Sequence, residues 1–300
     1  MKKFLIIIPV FLSVNFILFE LTVRIFNLTN DVPQRNLIDG QYQLYKNNQE
    51  GVYKNARWKV NAFGFLGLSD INNGENQVLL IGDSFLENMM NNIECNIGSQ
   101  MKLIDGNLKV FEIARSGMTL IEYFEFYKKF KQKIKPAKTI FLVNSNDIYE
   151  SISNFNRFPD RIQIDLNENK INRVDLKYPT LKKVLYNLKG LYYLYSSRFL
   201  NFNFPKLIQT KKIITKKAPN KELIEKLFIY LRDNYSPENI SFICYNMKDI
   251  EVNLFRMLSN NIYQIEGFDE KEIRKDDRHW NCLGNQKVAE LILDQFIISK

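Results

Sequence analysis

The chain has 300 residues but a single histidine, three cysteines and only 12 glycines. With one imidazole available, acid–base chemistry that needs histidine must run through His279. Cys95, Cys244 and Cys282 show neither the spacing of a metal site nor a disulfide framework. An odd count leaves at least one cysteine unpaired in an exported protein. Cys244 lies in an apolar, strand-like run and reads as core, while Cys282 follows His279 by three residues. There is no zinc-finger or RNA-binding signature. The net charge of +9, carried by scattered lysines, therefore reads as a solvated basic face suited to anionic lipid, not as a nucleic-acid footprint. A composition of 45% hydrophobic and 25% charged residues excludes a disordered chain and supplies ample core for one large domain plus additions.

Residues 1–26, MKKFLIIIPVFLSVNFILFELTVRIF, read as a membrane segment. Phe4 to Phe19 is almost wholly apolar, broken only by Pro9, Ser13 and Asn15. That run is somewhat short against the roughly 20 residues a bilayer core requires, and Leu21 to Phe26 extend it if Glu20 and Arg24 pair or sit at the interface. Lys2 and Lys3 predict a cytoplasmic N-terminus with the bulk of the chain on the far side. No small-x-small cleavage site follows and no lipobox cysteine is present, so the segment reads as an uncleaved signal anchor, with membrane contact through residues 4–26. Residues 27–76 read as a polar, irregular juxtamembrane connection. The main folded domain is assigned to 77–300.

The domain is organised around QVLLIGDSFLE, Gln77 to Glu87. A short apolar run closed by Gly82-Asp83-Ser84 and followed by a helix is the pattern of a buried parallel strand ending in a tight turn. At that edge of an α/β sheet the next helix points its first amides into the crevice, which leaves Ser84 exposed beside backbone donors and available as a nucleophile. The base is His279, in Asp276-Asp277-Arg278-His279-Trp280-Asn281. An acid three residues before the histidine can hold one ring nitrogen while the other faces the serine. Asp276 fits that spacing, and Asp277 is the alternative.

GDS at 82–84, Gly117 in Ala114-Arg115-Ser116-Gly117, Asn146 in Asn144-Ser145-Asn146-Asp147, and DxxH at 276–279 resemble, in order, the four blocks of the SGNH (GDSL-type) hydrolases. The resemblance implies Ser84 as nucleophile, His279 as general base and Asp276 as its orienter. It also implies an oxyanion hole made by the Ser84 and Gly117 backbone amides and the Asn146 side chain, with no metal or cofactor. The third block usually reads GxND, and here Asn144 replaces the glycine; asparagine tolerates unusual backbone angles better than most residues. Asn61-Ala62-Phe63-Gly64-Phe65 is similar to a segment that precedes the nucleophile strand in membrane-anchored bacterial members. It reads equally as a glycine turn with two buried aromatics.

After Ser84 the chain alternates strand and helix, with strands at Lys109–Ile113, Thr139–Val143, Ile240–Tyr245 and Ile262–Ile265 and helices at 119–133, 221–234, 250–259 and 283–297. This predicts a three-layer α/β/α sandwich around a parallel, flavodoxin-like sheet of about five strands, preceded by a membrane helix. Ser84, Gly117 and Asn146 fall at the carboxyl ends of three successive strands. An insertion at about 150–218 breaks the alternation. In it, 161–166 and 171–176 read as a hairpin, 181–200 as one helix rich in Leu and Tyr, and 208–217 as a basic-aromatic tether.

The function this predicts is an ester hydrolase or acyltransferase working through an acyl-serine, on O-acyl or O-acetyl groups of envelope carbohydrate. Two other readings stay open: a lysophospholipase-like lipid esterase, and a non-catalytic envelope scaffold or glycan-binding protein. The residues leave the substrate-binding groups and any protein partner undefined.

Overall fold

The computed structural model describes residues 2–69, 77–172, 174–176, 178–197 and 220–298. It opens with helix α1 (Lys2–Ile25), which holds Pro9 in its first turns. Its stretch Ile6–Ile25, 20 residues with a mean hydropathy of 2.2, is long and apolar enough to cross a membrane. Glu20 and Arg24 pair at 2.6 Å one turn apart, so the two charges offset each other within the apolar stretch.

Residues 27–69 are more ordered than the expected irregular connection. They fold as two antiparallel hairpins, β1 (Arg35–Ile38) with β2 (Tyr42–Tyr45) and β3 (Glu50–Tyr53) with β4 (Ala56–Lys59). In β4, Ala56 and Trp58 are buried and Arg57 and Lys59 exposed, the period of a half-buried strand. The β3–β4 turn has positive φ at both Lys54 (50°) and Asn55 (67°), the geometry of a tight two-residue hairpin loop. Lys-Asn lacks the glycine that usually marks such a turn, so the hairpin carries no strong local signal in the sequence. The Asn61 segment is a turn: Asn61 Oδ1 accepts the N–H groups of Phe63 (2.8 Å) and Phe65 (3.2 Å). Gly64 adopts φ +83°, and a Cβ there would meet the Tyr45 carbonyl at 2.7 Å. Phe65 is fully buried in the main core.

The central sheet is built from β5 (Gln77–Gly82), β6 (Lys109–Ala114), β7 (Lys138–Asn144) and two later strands. Along the chain come α2 (Ser84–Glu87) and α3 (Ile97–Ile104) after β5, α4 (Leu120–Ile134) after β6, and α5 (Ser145–Ser151) after β7. The insertion supplies β8 (Ile164–Asp165), β9 (Lys170–Ile171), α6 (Pro179–Asn187) and α7 (Lys189–Ser196). Then follow α8 (Lys221–Tyr235), β10 (Ile240–Tyr245), α9 (Asp249–Phe255), β11 (Ile262–Ile265) and α10 (Cys282–Ile292), which ends in a π-helical turn to Ile298. The five sheet strands β6-β5-β7-β10-β11 are all parallel, and in chain order they read 2-1-3-4-5. This is the flavodoxin-like order, whose switch point lies between the first and third strands, here β5 and β7.

Both faces of the sheet are covered, which is why its strands are near-continuous apolar runs. Leu79, Ile81, Phe111 and Phe141 face α4, α8 and α9, while Val78, Leu80, Val110 and Ile140 face α3 and α10. Each fully buried side chain of this size contributes about 1.5–3 kcal/mol. Helix α4 begins at a capping box: Thr119 accepts the Glu122 N–H and Glu122 accepts the Thr119 N–H.

Three expectations are corrected here. Cys95 and Cys282 form a disulfide with Cα atoms 4.8 Å apart across 187 residues of sequence, leaving only Cys244 free and buried. Spacing could not show the pair because only the sheet topology brings them together. Of the predicted helix over 181–200, the described part, to residue 197, is two helices, α6 and α7, parted at Leu188 (ψ 89°). The amides freed at the break, Lys189 N–H and Gly190 N–H, are taken by the Glu20 carboxylate at 2.9 and 2.6 Å. The predicted hairpin at 161–176 is present but shorter, pairing only Ile164 with Ile171 and Asp165 with Lys170. The proposed tether at 208–217 lies outside the described residues.

Candidate active site

Strand β5 runs fully buried to Gly82, and Asp83 then caps the single helical turn α2, accepting the Phe85 N–H at 3.0 Å. Ser84 is the first residue of that turn, so it stands at the carboxyl edge of the sheet beside the switch point. His279 arrives on the loop before α10, and its Nε2 lies 2.9 Å from Ser84 Oγ. The structure thus brings together the two groups that are farthest apart in the motif order.

The His279 loop is a tight turn. Ile273 bridges Trp280, and Arg274 N–H donates to the His279 carbonyl at 2.8 Å. Arg278 holds φ +64° at its tip. The Arg274 guanidinium reaches the Met90 carbonyl (2.8 Å) and Asn91 Oδ1 (3.1 Å), tying the loop to the segment after α2. The imidazole packs beside Phe85, with ring centroids 4.5 Å apart, and Phe85 also touches Tyr245 and Trp280.

Asp276, the residue whose spacing matched, does not meet the imidazole. Its carboxylate is held in a fork by Arg274 Nε and Nη2, both at 3.1 Å, and by Lys54 Nζ at 2.7 Å, and it is 45% exposed. Asp277 does meet it: Asp277 Oδ1 lies 3.3 Å from His279 Nδ1, and the same oxygen accepts the His279 backbone N–H at 3.1 Å. The physical reason is a local one. An aspartate readily accepts the N–H two residues on, and that turn carries its carboxylate to the side where the ring stands. Nδ1 is in ion-pair range of Asp277 but not aligned for a hydrogen bond; such contacts often tighten only when substrate is bound. Burial acts to raise the Asp277 pKa, but the Lys54 hydrogen bond, the His279 N–H and the His279 and Lys54 charges outweigh it, and the net shift is downward. Asp276 is held well below the ordinary carboxylate range by its hydrogen bonds to Arg274 and Lys54.

Gly117 sits on the loop after β6 with φ +76°, and a Cβ there would meet the Arg161 guanidinium at 2.8 Å. That loop is joined to the Ser84 turn through buried Glu87, which accepts from the Ser116 hydroxyl and from Tyr45 OH. Burial raises the Glu87 pKa, with those hydrogen bonds and the Arg35 and Arg115 charges acting against it. Asn146 lies in the first turn of α5, exposed at the same edge, with its backbone N–H given to Asn144 Oδ1 at 2.8 Å.

Asn144 itself has φ −125°, an extended conformation any residue adopts, so no glycine is needed at this position. Its side-chain amide lies between two buried carboxylates, donating to Asp83 Oδ2 (3.0 Å) and Asp147 Oδ1 (3.2 Å). Tyr245 OH donates to Asp83 and Tyr123 OH to Asp147. Burial, and next the Asp83 charge, push the Asp147 pKa well up. The network carries the turn from β7 into α5, which bears Asn146.

Sequence reasoning missed Lys54 and Glu87, and it ranked Asp277 as the alternative to Asp276 where the structure sets Asp277 beside the ring. Only Asp277 left a signal, the i to i+2 spacing to His279. Among the described residues no group of three or more His, Cys, Asp or Glu side chains is placed to hold a metal ion.

No protein-family model and no curated protein matches the chain. Among solved structures it is similar to a psychrotrophic esterase from Pseudoalteromonas sp. inhibited by monoethylphosphonate, at 10% identity, over 74% of this chain and 96% of that one, with a TM-score of 0.37. It is also similar to a Clostridium thermocellum family 3 carbohydrate esterase (12% identity, 74% and 96% covered, TM-score 0.34). A third is an acetyl xylan esterase from Geobacillus stearothermophilus (11% identity, 75% and 95% covered, TM-score 0.33).

Proposed function

We propose that the chain is a membrane-anchored serine esterase or acyltransferase of the SGNH type, acting on O-acyl groups of envelope carbohydrate. The observation that carries this reading is the 2.9 Å contact between His279 Nε2 and Ser84 Oγ at the switch point of the sheet. His279 takes the Ser84 proton as Oγ attacks the ester carbonyl carbon. The carbonyl π electrons move to oxygen, where the Ser84 and Gly117 amides and the Asn146 side chain receive the charge, each such donor worth about 2.7–4 kcal/mol. The tetrahedral intermediate collapses, the C–O bond to the leaving alcohol breaks, and the imidazolium proton passes to that alcohol. Water, activated by the same imidazole, releases the acid from the acyl-serine. An acceptor alcohol in place of water makes the site a transferase.

Asp277 is the orienter in this scheme, by virtue of its place 3.3 Å from Nδ1. The preference for carbohydrate rests on the family resemblance and on anchoring at an envelope membrane. The Cys95–Cys282 disulfide supports a catalytic domain on the extracytoplasmic side, because disulfides persist in oxidising compartments. A lipid ester is the second reading, favoured by the docking of α1 onto the insertion through Glu20 and Gly190.

The test is labelling of the full chain with a fluorophosphonate probe, followed by release of acetate from O-acetylated polysaccharide. Wild type labels and Ser84→Ala does not; labelling that persists in Ser84→Ala removes the assignment. Activity on long-chain lipid esters alone selects the second reading.

A further inference from the structure

Helix α1 does not leave the domain on a free tether. At its C-terminal end it is fastened to the break between α6 and α7. Glu20 accepts both N–H groups that open α7, acting as a cap supplied from 170 residues away in sequence. Arg24, paired to Glu20, donates from Nη2 to the carbonyl of Asn187, the last residue of α6, at 2.6 Å. One ion pair therefore closes the end of one helix and the start of the next. Phe19 packs edge-on to Tyr193 with centroids 6.1 Å apart, and a Cβ on Gly190 would meet both Glu20 and Phe19 at 3.0 Å. Lys189 also pairs with Asp31, just beyond α1.

This fastening fixes the depth of α6 and α7. Residues 19–24 are the last turns of the stretch that can cross a bilayer, so whatever they hold lies at the membrane–water boundary. The surface found there is suited to that place. Among the described residues beyond 28, nine large apolar side chains are exposed, and four of them lie within residues 178–191: Tyr178 (55%), Leu181 (48%), Val184 (47%) and Leu191 (37%). Leu181 and Val184 stand one turn apart on α6, Tyr178 caps the start of that helix, and Leu191 lies in the first turn of α7. Lys183 is exposed beside them, and Tyr residues flank them. An apolar stripe bordered by lysine and tyrosine is the surface that partitions into the headgroup region of an anionic bilayer.

We infer that α6 and α7 form a membrane-interface element whose Tyr178–Leu191 stripe lies in the lipid headgroup region, continuous with the exit of α1. The inference rests on the reading of α1 as a membrane anchor. The surface it assigns is distinct from the catalytic groups, yet linked to them by a chain of hydrogen bonds. Asp31 exchanges hydrogen bonds with Val52 in β3, at 2.7 and 2.8 Å, and the next turn sends Lys54 to Asp276 and Asp277. The element thus holds the active-site edge at a set orientation toward the bilayer, which a flexible linker could not do.

The test uses the full chain reconstituted in vesicles of phosphatidylcholine and phosphatidylglycerol, with tryptophan fluorescence read against lipids brominated at shallow or deep acyl positions. The signal of buried Trp58 and Trp280 in the parent protein is subtracted. Phe11→Trp reports the anchor, Val184→Trp and Leu181→Trp report the stripe, and Leu103→Trp, on the last turn of α3 at the opposite edge of the sheet, is the control. Shallow bromines are expected to quench Val184→Trp and Leu181→Trp, deep bromines Phe11→Trp, and neither Leu103→Trp. If Phe11→Trp is quenched while both stripe variants stay as bright as the control, the inference is overturned and the anchor stands. If Phe11→Trp is itself unquenched, the anchor reading fails and takes the inference with it.

Discussion

Lys54 Nζ lies 2.8 Å from Asp277 Oδ2, so a hairpin turn from the segment before the sheet holds the carboxylate that faces His279. The same ammonium reaches Asp276 at 2.7 Å, and the Arg274 guanidinium completes the cluster. Two adjacent aspartates consequently have different work: Asp276 clamps the loop, and Asp277 turns inward to the ring.

Asp277→Asn is expected to lower kcat by on the order of 10⁴-fold, the scale on which a triad loses its orienting carboxylate. Asp276→Asn should cost far less, and mainly in thermal stability, because the Asp276 carboxylate is 45% exposed and does not touch the ring. Steady-state kinetics on both variants decides the matter. A larger kcat loss in Asp276→Asn would reverse the assignment.

Lys54→Gln should lower kcat several-fold with KM little changed, and Lys54→Arg should recover most of the loss. The pH dependence has a definite sign. Asp277 has a folded pKa below its unfolded value, so its contribution to stability is present above about 3.9 and is lost as pH falls through the folded pKa. Removing Lys54 removes one of the groups that depress that pKa. Acid unfolding and acid inactivation should therefore begin at higher pH in Lys54→Gln than in wild type; superimposable profiles would show that Lys54 does not act through Asp277.

Asn146 and Asn144 should separate cleanly. Asn146→Ala is expected to cut kcat by about 10²–10³-fold at unchanged melting temperature, as loss of an oxyanion donor does. Asn144→Ala leaves buried Asp83 and Asp147 without the amide between them, and should cost about 1–3 kcal/mol of stability. Calorimetry alongside kinetics checks both, and a matched loss of stability in Asn146→Ala would point to a structural role.

Reduction of Cys95–Cys282, or the Cys95→Ser variant, should destabilise the chain by about 2–5 kcal/mol. The bond joins the short helical turn before α3 to the first residue of α10, three residues past His279. Asn285 Nδ2 also donates to the Cys95 carbonyl at 2.8 Å. At a temperature where the reduced protein remains folded, kcat should still fall, because the histidine loop has lost one of its two fixed ends. Reduction that lowers the melting temperature without touching kcat would restrict the disulfide to stability.

Local pattern was enough to read the sheet. The runs at 77–82, 109–114, 138–144 and 240–245 are apolar, β-rich and bounded by turn residues, and strand formation there is decided by burial on both faces, while 262–265 forms the half-buried edge strand. The same pattern placed Ser84, Gly117 and Asn146 at strand ends and named the one imidazole able to serve them. What local pattern could not carry were contacts whose partners lie far apart in the chain. Arg274 forks onto Asp276 and the local turn aims Asp277 at the ring, while Lys54, 222 residues away, holds both carboxylates in place. The Cys95–Cys282 bond, the Glu20 cap on α7 and the Glu87–Ser116 link join segments 187, 170 and 29 residues apart. A sequence states which groups a chain owns and which segments can bury a face. Which of two neighbouring charges meets the imidazole is settled only when packing has used up the alternatives.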